Sequence, residues 1–177
     1  MLKFNKLKVK GAYLIDQEEF PDERGFFSRT FCTREFAQMG LNPHVAQCNG
    51  SFSRKAGTLR GLHYQIAPHE EAKLVRCTRG ACHDVIVDLR RNSPTYLKWD
   101  GAELTALNRQ MIYVPEGCAH GLITLVDETE MWYQMSTLYA PASARGMRWN
   151  DPAVNIQWMM QPMIISEKDK SWEFLRI

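Results

Sequence analysis

Short apolar runs follow one another along the chain, with polar residues at alternate positions and glycine or proline between runs, which is the period of strands rather than helices. "AKLVRCTRGACHDVIVDLR" (72–90) shows the pattern on both sides of Arg79-Gly80. Its second half sets Val85, Val87 and Leu89 against Asp84, Ile86 and Asp88, which predicts a hairpin with one face in a core. "RQMIYVPEGCAHGLITLVD" (109–127) repeats the plan with Pro115-Glu116-Gly117 as the break, and "TEMWYQMSTLYAP" (129–141) adds an aromatic-rich strand. Helical periodicity is scarce. "TREFAQMG" (33–40) predicts one short helix closed by Gly40 with Thr33 as its cap, and the last dozen residues leave room for a turn. Many short strands with turn signals between them predict an all-β sandwich or jelly-roll barrel with a few short helices.

Composition narrows this picture. A chain of 177 residues, 45% hydrophobic and 24% charged, without repeats or linker-like tracts, fits one domain over residues 1–177. Its 22 basic and 20 acidic residues are scattered, with no stripe or tail of one sign, so no nucleic-acid partner is expected. The basic start "MLKFNKLKVKGAYLID" has too short an apolar run for a secretory signal, and no later run approaches a membrane span. The expectation is a cytoplasmic protein with no membrane partner. Five cysteines, odd in number and without Cys-x-x-Cys spacing, read as reduced, mostly buried small hydrophobes rather than a disulfide framework or zinc ribbon.

Chemistry is concentrated in polar residues that fall inside apolar strands. In "GTLRGLHYQ" (57–65), His63 and Gln65 share a face by alternation, and Arg60 points the other way unless Gly61 marks a bulge. Taken alone, His63 reads as a hydrogen-bonded core residue more readily than as a catalyst. Lys73 reads as a solvated edge lysine, or, beside Arg60, as half of a phosphate cradle. His120, after a proline-glycine turn, reads as structural, and Tyr133 and Tyr139 as core or rim aromatics. Barrels that bind a metal inside pair two histidines as His-x-His, with a glutamate and a third histidine later. Here "HYQ" puts Gln65 at the second histidine's place, so although His63, Glu71 and His120 remain three donors, no metal is expected.

The motifs "PDERGFF" (21–27), "QCNGSFS" (47–53), "GTLRGLHYQ" (57–65), "AKLVRCTRG" (72–80), "DVIVDLRRNSPTYLKW" (84–99), "VPEGCAHG" (114–121), "YAPASARGMRWNDP" (139–152) and "SEKD" (166–169) resemble, in order, those of the dTDP-4-dehydrorhamnose 3,5-epimerases. The resemblance spans nearly the whole chain. It implies a cupin-type jelly roll, a homodimer, no cofactor, and metal-free epimerisation of a nucleotide-diphosphate 4-keto-6-deoxy sugar, dTDP-linked. It also implies His63 as the base with Asp169 as its partner, Tyr133 as the acid, Lys73 as the positive donor to the enolate oxygen, Arg60 on the diphosphate and His120 on the sugar. Arg24, Phe27, Gln47, Asn49 and Tyr139 match positions around the nucleotide, with Phe27 and Tyr139 stacking on the base. Part of that contact crosses the dimer through an exchanged N-terminal segment, and this chain has such a segment before Phe20.

The chain departs from the pattern at Arg29, where the family carries glutamate, at Gly121-Leu122 and Trp158-Met159, and in ending soon after Trp172. Arg29 places the identity of the nucleotide base in question. Three readings follow: inversion at both C3 and C5, a related isomerase acting as a single-centre epimerase or 3,4-ketoisomerase, and a non-catalytic sugar-nucleotide-binding cupin. An intact His63, Asp169 and Tyr133 set favours the first, since binding alone needs no base-acid pair.

Overall fold

The computed structural model describes residues 1–176. Its strands begin with β1 (Leu2–Lys6), β2 (Tyr13–Gln17), β3 (Glu19–Asp22) and β4 (Gly25–Ser28), followed by helix α1 (Thr33–Gln38). The middle of the chain supplies β5 (Gln47–Ser53), β6 (Thr58–Gln65), β7 (Lys73–Arg79), β8 (Ala81–Asp88) and β9 (Trp99–Thr105). Then come β10 (Met111–Val114), β11 (Cys118–Thr124), β12 (Thr129–Met135), β13 (Ala144–Gly146), β14 (Ile164–Ile165) and helix α2 (Glu167–Lys170). One sheet runs β1-β2-β10-β7-β12-β5 and the other β13-β6-β11-β8-β9, antiparallel throughout, with β14 added parallel to the start of β6. The two sheets stack as a cupin-like jelly roll, and β3-β4 stands apart as a two-stranded arm.

The two expected hairpins are not hairpins. β7 lies in one sheet and β8 in the other, as do β10 and β11, so Arg79-Gly80 and Pro115-Gly117 carry the chain across the sandwich. From β5 to β8, and again from β9 to β12, every connection changes sheet.

The expected facing of β8 is also reversed. Val85 and Val87 point outward, under a layer formed by Met147, Val154 and Ile156, whereas Cys82 and Ile86 point into the space between the sheets. Asp84 and Asp88 share that inner face and are fully buried. A strand covered on both sides carries no single apolar face, and alternation of apolar with charged residues then marks where interior polar partners wait. Asp88 accepts from Arg90, Ser93 and Thr95.

The central core joins Val75, Cys77, Ile86, Ile112, Leu122 and Met131 between the sheets. A second cluster lies outside the first sheet, where Phe36 of α1 packs on Tyr113 and Ile15. The cap of α1 differs from expectation: Cys32 occupies the cap position without a side-chain bond, and Thr33 is already helical. The close is as expected. Gly40 takes φ +69°, and the amides of Gly40 and Leu41 return to the carbonyls of Ala37 and Phe36, a Schellman close with Leu41 packed in the same cluster as Phe36. All five cysteines are free; Cys77, Cys82 and Cys118 are buried, Cys32 is half-buried and Cys48 is exposed on β5. Among the described residues no helix is long and apolar enough to cross a membrane.

Candidate active site

At one end of the sandwich the apolar filling gives way to a cavity of about 580 Å³, which opens into a second lobe of about 410 Å³. The change of character follows strand by strand. On β7, Val75 and Cys77 face the core, and Lys73, two residues earlier on the same face, faces the cavity. On β12, Met131 closes the core, while Tyr133 and Met135 line the cavity.

Gly61 settles the orientation of Arg60. Pairing of β6 with β11 shifts between His120↔His63 and Leu122↔Arg60, so two residues of β6 oppose Gly121 alone. This bulge turns Arg60 to the same cavity as His63. Only glycine fits there: φ is +127°, and a Cβ would stand 2.6 Å from the Gly121 Cα. The guanidinium is held by Ser53 Oγ at 3.0 Å and the Phe52 carbonyl at 2.9 Å.

His63 Nε2 lies 2.6 Å from Asp169 Oδ1, and the other carboxylate oxygen accepts from the Gly61 amide at 3.3 Å. Burial acts to raise the Asp169 pKa, but the bonds from His63 and Gly61 outweigh it and hold the carboxyl below its ordinary value. An ionised carboxylate only accepts, so Nε2 carries a proton, and in the neutral imidazole the lone pair is then on Nδ1. Across the cavity, on the opposing sheet, the Tyr133 hydroxyl is 3.0 Å from Ser51 Oγ. Burial pushes this phenol well up, outweighing the bond to Ser51, so it remains a neutral donor.

Two further pairs complete the walls. His120 Nε2 sits 2.9 Å from both oxygens of Asp84, and the His120 ring meets Tyr133 edge-on at 6.2 Å. Lys73 is buried rather than a solvated edge residue: its Nζ is 3.1 Å from Glu71 Oε1 and donates to the His63 carbonyl at 3.3 Å. His63, His120 and Lys73 thus each have a carboxylate behind them, while Arg60 rests on a hydroxyl and a carbonyl.

Asn49 lines both lobes, and Gln47 and Tyr139 line the second, where Gln47 Oε1 accepts from the Tyr139 amide at 2.9 Å. Arg24 and Phe27 are not brought to this cavity; they lie exposed on the β3-β4 arm, Arg24 paired with Asp22. Arg29 is matched inside the chain, donating to Glu35 of α1 at 2.9 Å. Gln65 is occupied as a loop pin: its amide donates to the carbonyls of His69 and Leu138 and accepts from the Ala140 amide at 2.7 Å. Among the described residues no three His, Cys, Asp or Glu side chains converge as a metal site.

The sequence reading missed Asp84, Ser51 and the pairing of Glu71 with Lys73. Asp84 was visible in the alternation of β8 but assigned to the wrong side. Ser51 carried no signal of its own. Lys168, which lines both lobes, stands beside Asp169 in "SEKD" and was passed over.

A jelly roll with titratable pairs facing one another across its mouth defines a cupin-type enzyme. The family model described as "dTDP-4-dehydrorhamnose 3,5-epimerase" matches residues 6–176. A dTDP-4-dehydrorhamnose 3,5-epimerase of Methanothermobacter thermautotrophicus is 44% identical over 177 residues, covering 98% of this chain and 95% of that protein. Among solved structures, the enzyme of that name from Elizabethkingia anophelis superposes with a TM-score of 0.95 at 40% identity, over 98% of this chain and 96% of the other. The Legionella pneumophila epimerase in complex with dTDP-4-keto-L-rhamnose superposes with a TM-score of 0.91 at 31% identity, over 98% and 93%. The chain belongs to the dTDP-4-dehydrorhamnose 3,5-epimerase family.

Proposed function

We propose that residues 1–177 act as one unit that inverts C3 and C5 of a dTDP-linked 4-keto-6-deoxyhexose, without metal or cofactor. The observation that carries this reading is that His63 on β6 and Tyr133 on β12 line one cavity from opposing sheets, which suits them as base and acid. Both carbons flank the C4 carbonyl. Nδ1 of His63 takes the proton from C3 or C5, and the C–H electrons move into an enolate with its charge on the C4 oxygen. The Lys73 ammonium stabilises that oxygen, and Asp169 stabilises the imidazolium. Tyr133 then delivers its proton to the same carbon from the opposite face, the carbonyl re-forms, and the centre is inverted. Solvent takes the proton from His63 and returns one to the phenolate before the second carbon reacts.

Arg60 holds the diphosphate, His120 contacts the sugar, and Gln47, Asn49 and Tyr139 hold the nucleotide. Arg24 and Phe27 serve the cavity of a second copy. The exposure of Phe20, Phe26 and Phe27 on the β3-β4 arm supports a homodimer that covers these rings. The setting is the cytoplasm, where nucleotide sugars are made. Incubation with dTDP-4-keto-6-deoxyglucose in deuterated water, followed by NMR, tests the reading. Inversion with deuterium at both C3 and C5 is expected, whereas inversion at one carbon alone would define a single-centre epimerase and no turnover would leave only binding.

A further inference from the structure

We propose that Trp172 is a positioning residue that seats the carboxylate of Asp169, and that Gly146 is its seat; this rests on the reading of Asp169 as the partner of the base. Asp169 is carried by α2, which has four residues and is far too short to hold itself in place. Its own contribution to order is the Ser166 cap, whose Oγ accepts the Asp169 amide at 3.1 Å. Something outside the helix must therefore fix it.

Three residues after Asp169, the Trp172 indole lies over Gly146 so closely that a Cβ on Gly146 would stand 2.2 Å from Cε2 and 2.3 Å from Nε1. The ring fills the place of the missing side chain. Gly146 is the cross-strand neighbour of His63 in the pairing of β13 with β6, so the seat adjoins the strand position that bears the base. Lys168 Nζ lies 5.7 Å over the same ring, adding a cation–π contact from the helix itself. Beyond the ring, the Leu175 amide donates to buried Asp151 at 2.6 Å, and the Leu175 side chain packs on the outer cluster with Val85 and Met147. The indole Nε1 is buried without a hydrogen-bond partner. A donor left so is unfavourable, and its presence here fits a ring placed for its shape rather than its polarity. Trp172 also borders the second lobe, so direct contact with substrate is the competing account.

Deuterium wash-in at C3 and C5, Michaelis constants and hydrogen exchange of residues 166–176 in W172A, W172F, G146A and the double variant separate the two. W172A and G146A should each slow wash-in by about tenfold to a hundredfold, as for a reacting group displaced by about 1 Å, with the Michaelis constant nearly unchanged. Amides of 166–176 should exchange faster while those of the sheets do not. G146A combined with W172A should be no slower than W172A, because removing the ring removes the clash, and W172F should keep most of the rate. In a D169N background W172A should cost nothing more. A raised Michaelis constant with wash-in intact, full additivity with D169N, or a G146A protein as fast as the parent overturns the proposal. Wash-in unaffected by D169N itself overturns instead the assignment of Asp169 on which the proposal stands.

Discussion

Replacing Asp169 by asparagine preserves shape and removes one charge, and the geometry predicts more harm than the loss of that charge alone. The carboxylate has two duties: Oδ1 faces His63 Nε2 at 2.6 Å and Oδ2 accepts the Gly61 amide at 3.3 Å. An asparagine has one acceptor and one donor end. The Gly61 amide can only donate, so it claims the carbonyl end and turns the NH2 group to Nε2. Nε2 must then accept, the ring proton moves to Nδ1, and the lone pair that should face the sugar is gone. Loss of the correct tautomer in a histidine–carboxylate pair costs about 10⁴ in the serine-protease case, so a fall of about 10³ to 10⁴ is expected here, equivalent to about 4–5.5 kcal/mol of barrier. The assay is single-turnover deuterium incorporation at C3 and C5 by NMR, with nucleotide affinity measured in parallel and expected to hold. A D169N enzyme within tenfold of the parent would refute both the tautomer argument and the assignment of Nδ1 as the base.

Other consequences are measurable. Tyr133→Phe should leave exchange with retention detectable while slowing inversion by about 10² to 10⁴, and should cost about 1 kcal/mol of stability through the lost bond to Ser51, read by denaturant unfolding. Asp88, held down to about 2 by Arg90, Ser93 and Thr95 against the opposing effect of burial, has a folded pKa below its unfolded value. Its contribution of about 2–2.5 kcal/mol is therefore present above about pH 4 and lost as the pH falls towards 2, and Asp88→Asn should flatten that part of the stability curve. Prolonged chelation should leave turnover unchanged, since Gln65 is committed to loop carbonyls; a bound metal whose removal abolishes activity would contradict this. Burial of Tyr133 predicts no alkaline fall in rate from its ionisation below about pH 10, checked by the pH dependence of kcat.

What could be read from the sequence was governed by the range of the forces involved. Strand existence, the helix close at Gly40 and the turn at Arg79-Gly80 are local matters of alternation and left-handed glycine, and these were legible. Whether a turn joins neighbours in one sheet or crosses between sheets depends on distant partners, so Arg79-Gly80 and Pro115-Gly117 were both read as hairpins. The same gap put the wrong face of β8 inward, and with it hid Asp84 behind His120. Arg60 could be stated only conditionally, because the bulge at Gly61 is set by its approach to Gly121 on another strand. The resemblance identified His63, Tyr133 and Asp169 as a set, but which ring nitrogen of His63 faces Asp169 needs the folded structure, where Nε2 meets Oδ1.

The habit of crossing between sheets at nearly every connection has a consequence for how activity appears and disappears. His63 and Asp169 are separated by 106 positions, Tyr133 and Ser51 by 82, and His120 and Asp84 by 36. No hairpin contains His63 with Asp169, Tyr133 with Ser51 or His120 with Asp84, so a nascent or partly melted chain does not assemble these pairs. Contacts this remote in sequence form slowly, because long loops must close before they are rewarded. Catalysis should therefore switch on late and all at once during refolding, and in heating or denaturant its loss should coincide with collapse of the sandwich itself, making turnover a faithful reporter of the native state.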